Sequence, residues 1–247
     1  MKVLGRQILL ESKLFLRRKD DLFWTLAFPM FFMVLYGLIY RDTMWNDYGI
    51  KAIDYTLPGI VVMALMVTGI MANATGLVEE REKGIYRRFS VTPLKRQAII
   101  GGQIIHRYIV MLLQTILLLI VGIFGFQVTI KGNYFLFWLL LTIGAICFLS
   151  IGFFLASFIK SARAATPICM AVFFMFMFLG GIFFPATVMP DFLASISRIL
   201  PSTHLNDAFR MVAVEGKGIA WVWKDLLIVG AWLAGTLVLS IKFFKWE

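Results

Sequence analysis

Six long apolar runs separated by short polar segments set the pattern of this 247-residue chain. They cover Leu22–Tyr40, Leu57–Val78, Tyr108–Ile130, Phe135–Ile159, Ala165–Phe184 and Leu226–Phe244. A helix needs roughly 20 apolar residues to cross a hydrocarbon core about 30 Å thick. The pattern therefore predicts six spans and an all-α polytopic membrane protein, residues 1–247 forming one transmembrane domain. Pro29 predicts a kink in the first span, and Pro58 falls near the first turn of the second.

The segments between the runs carry patterns of their own. In residues 1–20, steps of 100° place Lys2, Arg6, Lys13 and Arg17 in one basic stripe, with Leu4, Ile8 and Phe15 opposite. That is the pattern of an amphipathic helix lying on the membrane beside anionic headgroups. Residues 185–225 are punctuated by Pro185, Pro190 and Pro201. Between them, Phe192, Ile196 and Ile199 repeat at helical spacing behind Asp191, a first-turn acid. A second stretch, Ser202 to Val214, follows. Two short, re-entrant-like helices dipping into the outer leaflet before the last span satisfy this pattern; a plain surface loop is the alternative.

The polar segment 79–107, EEREKGIYRRFSVTPLKRQAIIGGQIIHR, holds seven Lys or Arg against three acids. Glu79, Glu80 and Glu82 suit the N-terminal end of a following helix, and Arg87 and Arg88 its C-terminal end. Thr92-Pro93 breaks it. A loop that only sets topology would not need Ile85, Tyr86 and Phe89 interleaved with its charges, and mixed aromatic and Arg clusters are typical of protein contacts.

Composition excludes a water-soluble domain: the chain is 60% hydrophobic and 15% charged, against about 45–50% and 25% in soluble proteins. Of its 24 Lys and Arg, 17 lie on the side holding the leader, segment 79–107, the 160–164 connector and the tail, and seven on the other. The acids divide evenly, so the net charge of +10 sits on one side. The positive-inside tendency makes that side cytoplasmic, with both termini on it. Anionic lipid accounts for the charge, and no nucleic-acid partner is required. A cleaved signal peptide is not indicated, because the first 20 residues are studded with charge.

Chemistry-bearing motifs are absent from the sequence: no GxxxxGK[ST] phosphate loop, no HExxH and no CxxC. Cys147 and Cys169 fall inside apolar runs and read as small core residues. His106 and His204 fall on opposite sides of the membrane and cannot share a metal. Ionisable groups, which normally mark pumps and intramembrane enzymes, are nearly missing from the runs, and no inverted repeat is evident. The fifth run, CMAVFFMFMFLGGIFF, offers either ordinary helix and lipid packing or an adaptable apolar surface for a hydrophobic substrate. Thr68, Asn73 and Thr75 are polar exceptions in the second, suited equally to interhelical bonds and to lining a path.

EEREKGIYRRFSVTP resembles the cytoplasmic segment of ABC type-2 exporter permeases. GGIFFPATVMPDFLASISRILPSTHLNDAFR, 180–210, is similar to that family's proline-punctuated outer helices. The resemblance covers essentially the whole chain. It implies that the leader is a connecting helix and that 81–90 is a coupling helix, with Arg81, Glu82, Gly84, Ile85, Tyr86, Arg87, Arg88 and Phe89 docking a separate ATPase subunit. It further implies two ATPase copies that hold the ATP and Mg, no cofactor in this chain and no enzymatic activity of its own. A second permease, identical or related, would complete a substrate path lined by the second and fifth spans (Met66, Thr68, Asn73 and Thr75; Phe173, Phe174 and Phe176). The small first external connector fits compact exporters of the bacterial inner membrane moving drugs, antibiotics or lipid-like cargo. A polysaccharide or glycolipid exporter of the same family, or a non-transporting assembly or sensor protein, are the alternatives.

Overall fold

A computed structural model describes residues 2–40, 43–45, 50–90, 96–183 and 189–243. The expected Thr92-Pro93 break, Lys95, Pro185 and the tail beyond residue 243 lie outside the described residues, as does the side chain of Phe89. Helix α1, Lys2–Arg17, leads into α2, Lys19–Ile39. A two-residue antiparallel pair follows, β1 (Met44–Trp45) and β2 (Ile50–Lys51). Then come α3 (Ala52–Glu82), α4 (Ile85–Ser90) and α5 (Arg96–Ile120), the last continued by a π turn, Val121–Gly125. α6 (Tyr134–Phe158), α7 (Ala162–Leu179), α8 (Asp191–Ser197), α9 (Pro201–Ala213) and α10 (Ile219–Phe243) complete the order. Among the described residues, six helices, α2, α3, α5, α6, α7 and α10, are long and apolar enough to span a membrane. The chain is an all-α polytopic membrane protein.

The bundle is built around α3. Its most apolar window is 94% buried, against 17% for α10 and 22% for α2. α2, α5, α6, α7 and α9 all pack against it. Its contact with α6 is backbone to backbone: a Cβ built on Gly152 would lie 2.1 Å from the Gly69 carbonyl oxygen. With no hydrophobic force between helices in lipid, such small-residue seams supply the packing. Asn73 extends the seam by donating from Nδ2 to the Leu149 carbonyl at 3.2 Å.

Two prolines shape their spans differently from a simple kink. A π turn, Phe23–Ala27, precedes Pro29, which has no N–H to return to the preceding turn. α3 starts at Ala52, so Pro58 stands inside the helix. Below it, Asp54 accepts from the Thr129 amide (3.1 Å) and hydroxyl (3.2 Å). The span also carries a π turn, Val67–Ala72.

One expectation is corrected. Glu79, Glu80 and Glu82 do not begin a helix; they form the C-terminal turn of α3, and the next helix spans only Ile85–Ser90. Gly84, at φ 67°, makes the break, a left-handed position that glycine adopts without steric cost. Acids at a helix C-terminus oppose the dipole, and the partners described next offset that cost.

Candidate functional site

The last turn of α3 is a junction for four other parts of the bundle. Arg81 donates from Nη1 to the Ala156 carbonyl at 3.0 Å and from Nη2 to the Ile159 carbonyl, closing the C-terminal end of α6. Its neighbour Glu82 accepts from the Ala162 amide at 2.7 Å, at the N-terminal end of α7. A cation thus meets the negative end of one helix dipole and an anion the positive end of the next. Glu79 lies 3.7 Å from Arg18, where α1 meets α2, and pairs with Lys83.

Glu80 points inward, toward α4 and α5. It accepts from the Tyr86 hydroxyl at 2.9 Å and from Gln103 Nε2 at 2.5 Å. Tyr86 is 5% exposed. Burial, then the Glu80 charge, pushes its phenol pKa upward, so it remains a neutral donor at ordinary pH. Arg107 of α5 donates to the Ala72 carbonyl at 3.0 Å, crossing back to the α3 π turn. Beside it, His106 Nδ1 lies 3.1 Å from Ser12 Oγ of α1; the Ser12 proton goes to the Ile8 carbonyl, leaving Nδ1–H as donor. Phe15 packs edge-on against the His106 ring, the centroids 5.7 Å apart. A cavity of about 10 Å³, enough for one water, sits among Glu11, Asn73, Glu80, Gln103, His106 and Arg107.

The predicted docking residues therefore divide. Arg81 and Glu82 face the α6–α7 connector and Tyr86 faces Glu80, while Arg87 and Arg88 are exposed on α4. Gly84 is the hinge and Ile85 is partly covered. The predicted path residues divide as well. Met66, Thr68 and Asn73 are at most 3% exposed at the centre of the protomer. Thr68 donates to Gln114 Oε1 at 2.9 Å, and Thr75 bonds back to the Met71 carbonyl. Phe173 and Phe176 are buried, whereas Phe174 is 36% exposed on the outer face of α7 with Met175 and Phe178.

Glu11, Ser12, Gln103, Arg107 and Gln114 are residues here that reading the sequence did not single out, and His106 was weighed there only as a metal ligand. A signal existed: Gln103, Arg107 and Gln114 fall within about 40° of one another on a helical projection, a polar stripe on an apolar helix. Among the described residues, no group of three His, Cys, Asp or Glu could hold a metal ion.

Six spans built about the buried α3, itself the second of them, with a short charged helix hung from one end, define a polytopic membrane protein. Residues 6–214 match the ABC-2 type transporter family, and the chain belongs to it. By that membership the chain is a transmembrane permease of the ABC-2 type. Among its relatives, ABC transporter G family member 20 of Dictyostelium discoideum is 25% identical over 201 residues, 81% of this chain and 28% of that protein. YvfS of Bacillus subtilis (strain 168), whose name describes a transport permease, is 26% identical over 248 residues, 97% of this chain and 96% of YvfS. The inner membrane transport permease YhhJ of Escherichia coli (strain K12) is 26% identical over 193 residues, 77% of this chain and 49% of YhhJ. The chain thus spans under a third of the Dictyostelium relative and about half of YhhJ.

Proposed function

We propose that this permease is the membrane subunit of an exporter energised by a separate ATPase, and that α4 is where the ATPase acts. The observation that carries this reading is the anchorage of α4: a six-residue charged helix rooted through Tyr86 and Glu80 in a network reaching α1, α5 and the α6–α7 connector. A push on α4 is thereby applied to three spans and the amphipathic leader together. Two ATPase copies, holding the ATP and Mg, would meet two permeases related by a two-fold axis, each offering Arg87 and Arg88. The basic end, with both termini, faces the cytoplasm of a bacterial cell, and 17 of 24 Lys and Arg lie there.

The cargo is hydrophobic or amphipathic, moved out from the cytoplasm or inner leaflet, so that the subunit would serve drug, antibiotic or lipid-like export. The exposed Phe174, Met175 and Phe178 of α7 support this, since Met and aromatic side chains repack around varied shapes. The buried Met66, Thr68 and Asn73 back that wall rather than meet the cargo. Arg87→Glu with Arg88→Glu tests the coupling: membrane insertion should persist while ATP hydrolysis no longer drives transport. Transport that stays coupled in the double variant would remove α4 from the role.

A further inference from the structure

His204, in the first turn of α9, bridges three elements at the end of the bundle opposite the coupling network. Its Nε2 lies 2.8 Å from the Arg198 carbonyl, which ends α8, and its Nδ1 lies 2.7 Å from Asp225 Oδ1 on α10. A carbonyl only accepts, and so does an ionised carboxylate, so both ring nitrogens must carry protons to make both bonds. Removing either proton leaves a ring lone pair facing an oxygen lone pair.

The other bonds that seat the hairpin do not titrate near neutrality. Ser202 donates to the Phe176 carbonyl, Asn206 to the Gly180 and Gly181 carbonyls, and Arg210 to the Gly181 carbonyl. These tie α9 to the end of α7. Toward α10 the hairpin packs along α9, and the hydrogen bonds across that contact are those of His204 and of Trp232 Nε1, which donates to the Ile199 carbonyl at 2.8 Å.

We propose that His204 and Asp225 form a proton-operated latch holding the α8–α9 hairpin to α10, closed while the imidazole is doubly protonated and released when it loses a proton. The charged groups acting on His204 are Asp225 from α10 and Asp207 from its own helix; α8 presents a carbonyl. The hydrogen bond that His204 donates to Asp225 raises its pKa, against the opposing pull of burial. A raised histidine pKa contributes stability that is full below the unfolded value of about 6.5 and is lost as pH rises through the folded value. The latch is therefore closed in acid and opens on the alkaline side. Its reading as a sensor of external pH rests on the orientation proposed above; the latch itself does not.

The test uses the whole chain, labelled with ¹⁵N-histidine, in nanodiscs, where both faces meet the same buffer. With two histidines in the chain, His204→Gln assigns the spectrum. Wild type should titrate with a midpoint above about 6.5, the imidazolium holding below it, and Asp225→Asn should lower that midpoint by about one unit, tenfold in proton affinity. Spin labels at Ser195→Cys on α8 and Leu227→Cys on α10, both exposed positions, should give one narrow distance in acid that broadens above the midpoint. In His204→Gln that distance should ignore pH. A midpoint at or below about 6.5, a label distance indifferent to pH in wild type, or an equal response in His204→Gln overturns the latch. Reaction of Ser195→Cys with an impermeant maleimide in intact cells tests the orientation separately.

Discussion

Arg81 and Glu82 divide between them the two ends of the α6–α7 connector, and Tyr86 supplies one of the two hydrogen bonds that the Glu80 carboxylate accepts from α4 and α5. A hydrogen bond to a charged group contributes about 1.5–3 kcal/mol. Tyr86→Phe keeps the ring packed and removes only the donor, so it should lower stability by that amount and leave the protein folded. Thermal unfolding of the purified permease in detergent checks it, and an unchanged midpoint would mean the bond contributes nothing. Arg81→Met should cost at least as much, because two carbonyls at the end of α6 lose their donor together. It should also raise hydrogen exchange in the 156–162 region, which the tyrosine variant should not.

At the scale of elements, the α3–α6 seam is where side-chain size is decided by backbone proximity. A Cβ on Gly152 would meet the Gly69 carbonyl oxygen, which is backbone, and the Asn73 side-chain amide, which is held by its bond to the Leu149 carbonyl. Gly152→Leu should therefore cost more than the roughly 1–3 kcal/mol typical of overpacking and lower the yield of folded permease. Gly230→Ala on α10, where nothing lies within 4 Å, should be neutral or stabilising by up to about 1 kcal/mol. Size-exclusion behaviour and unfolding midpoints separate the two; equal effects would mean that the seam is not the controlling contact. Gly84 presents a third situation. Its surroundings are open and only its positive φ resists a side chain, so Gly84→Ala should cost about 1–2 kcal/mol by loosening α4 alone.

On the whole molecule, the bundle separates cleanly into two ends. One collects α1, the α3 terminus, α4 and the α6–α7 connector. The other collects the β1–β2 pair, the Lys131 turn on Ala213 and the α8–α9 hairpin. If the first end docks an ATPase, the permease should co-purify with a nucleotide-hydrolysing chain of similar abundance whose activity rises with hydrophobic cargo. Co-purification without such a chain would favour an assembly or sensory protein. The Arg87/Arg88 double variant should lose transport more than complex formation.

Membrane class, the number of spans and the charge asymmetry were all legible in the sequence, because each rests on local quantities: the length of an apolar run and the sign of its flanks. Helix spacing within residues 185–225 was legible for the same reason. The focal stretch Glu79–Ser90 was located by its composition, yet its inner organisation was not. Whether Glu80 and Glu82 start one helix or end another depends on Tyr86 and Gln103 for the first and the Ala162 amide for the second, partners six to 80 residues away in sequence. The buried position of Met66 and Thr68 likewise follows from five helices closing around α3. Apolar runs of similar hydropathy look alike along the chain, whether they face lipid or the centre of the bundle. Only packing distinguishes them, because in a bilayer both environments are apolar and the choice falls to small residues and polar bonds that meet across helices.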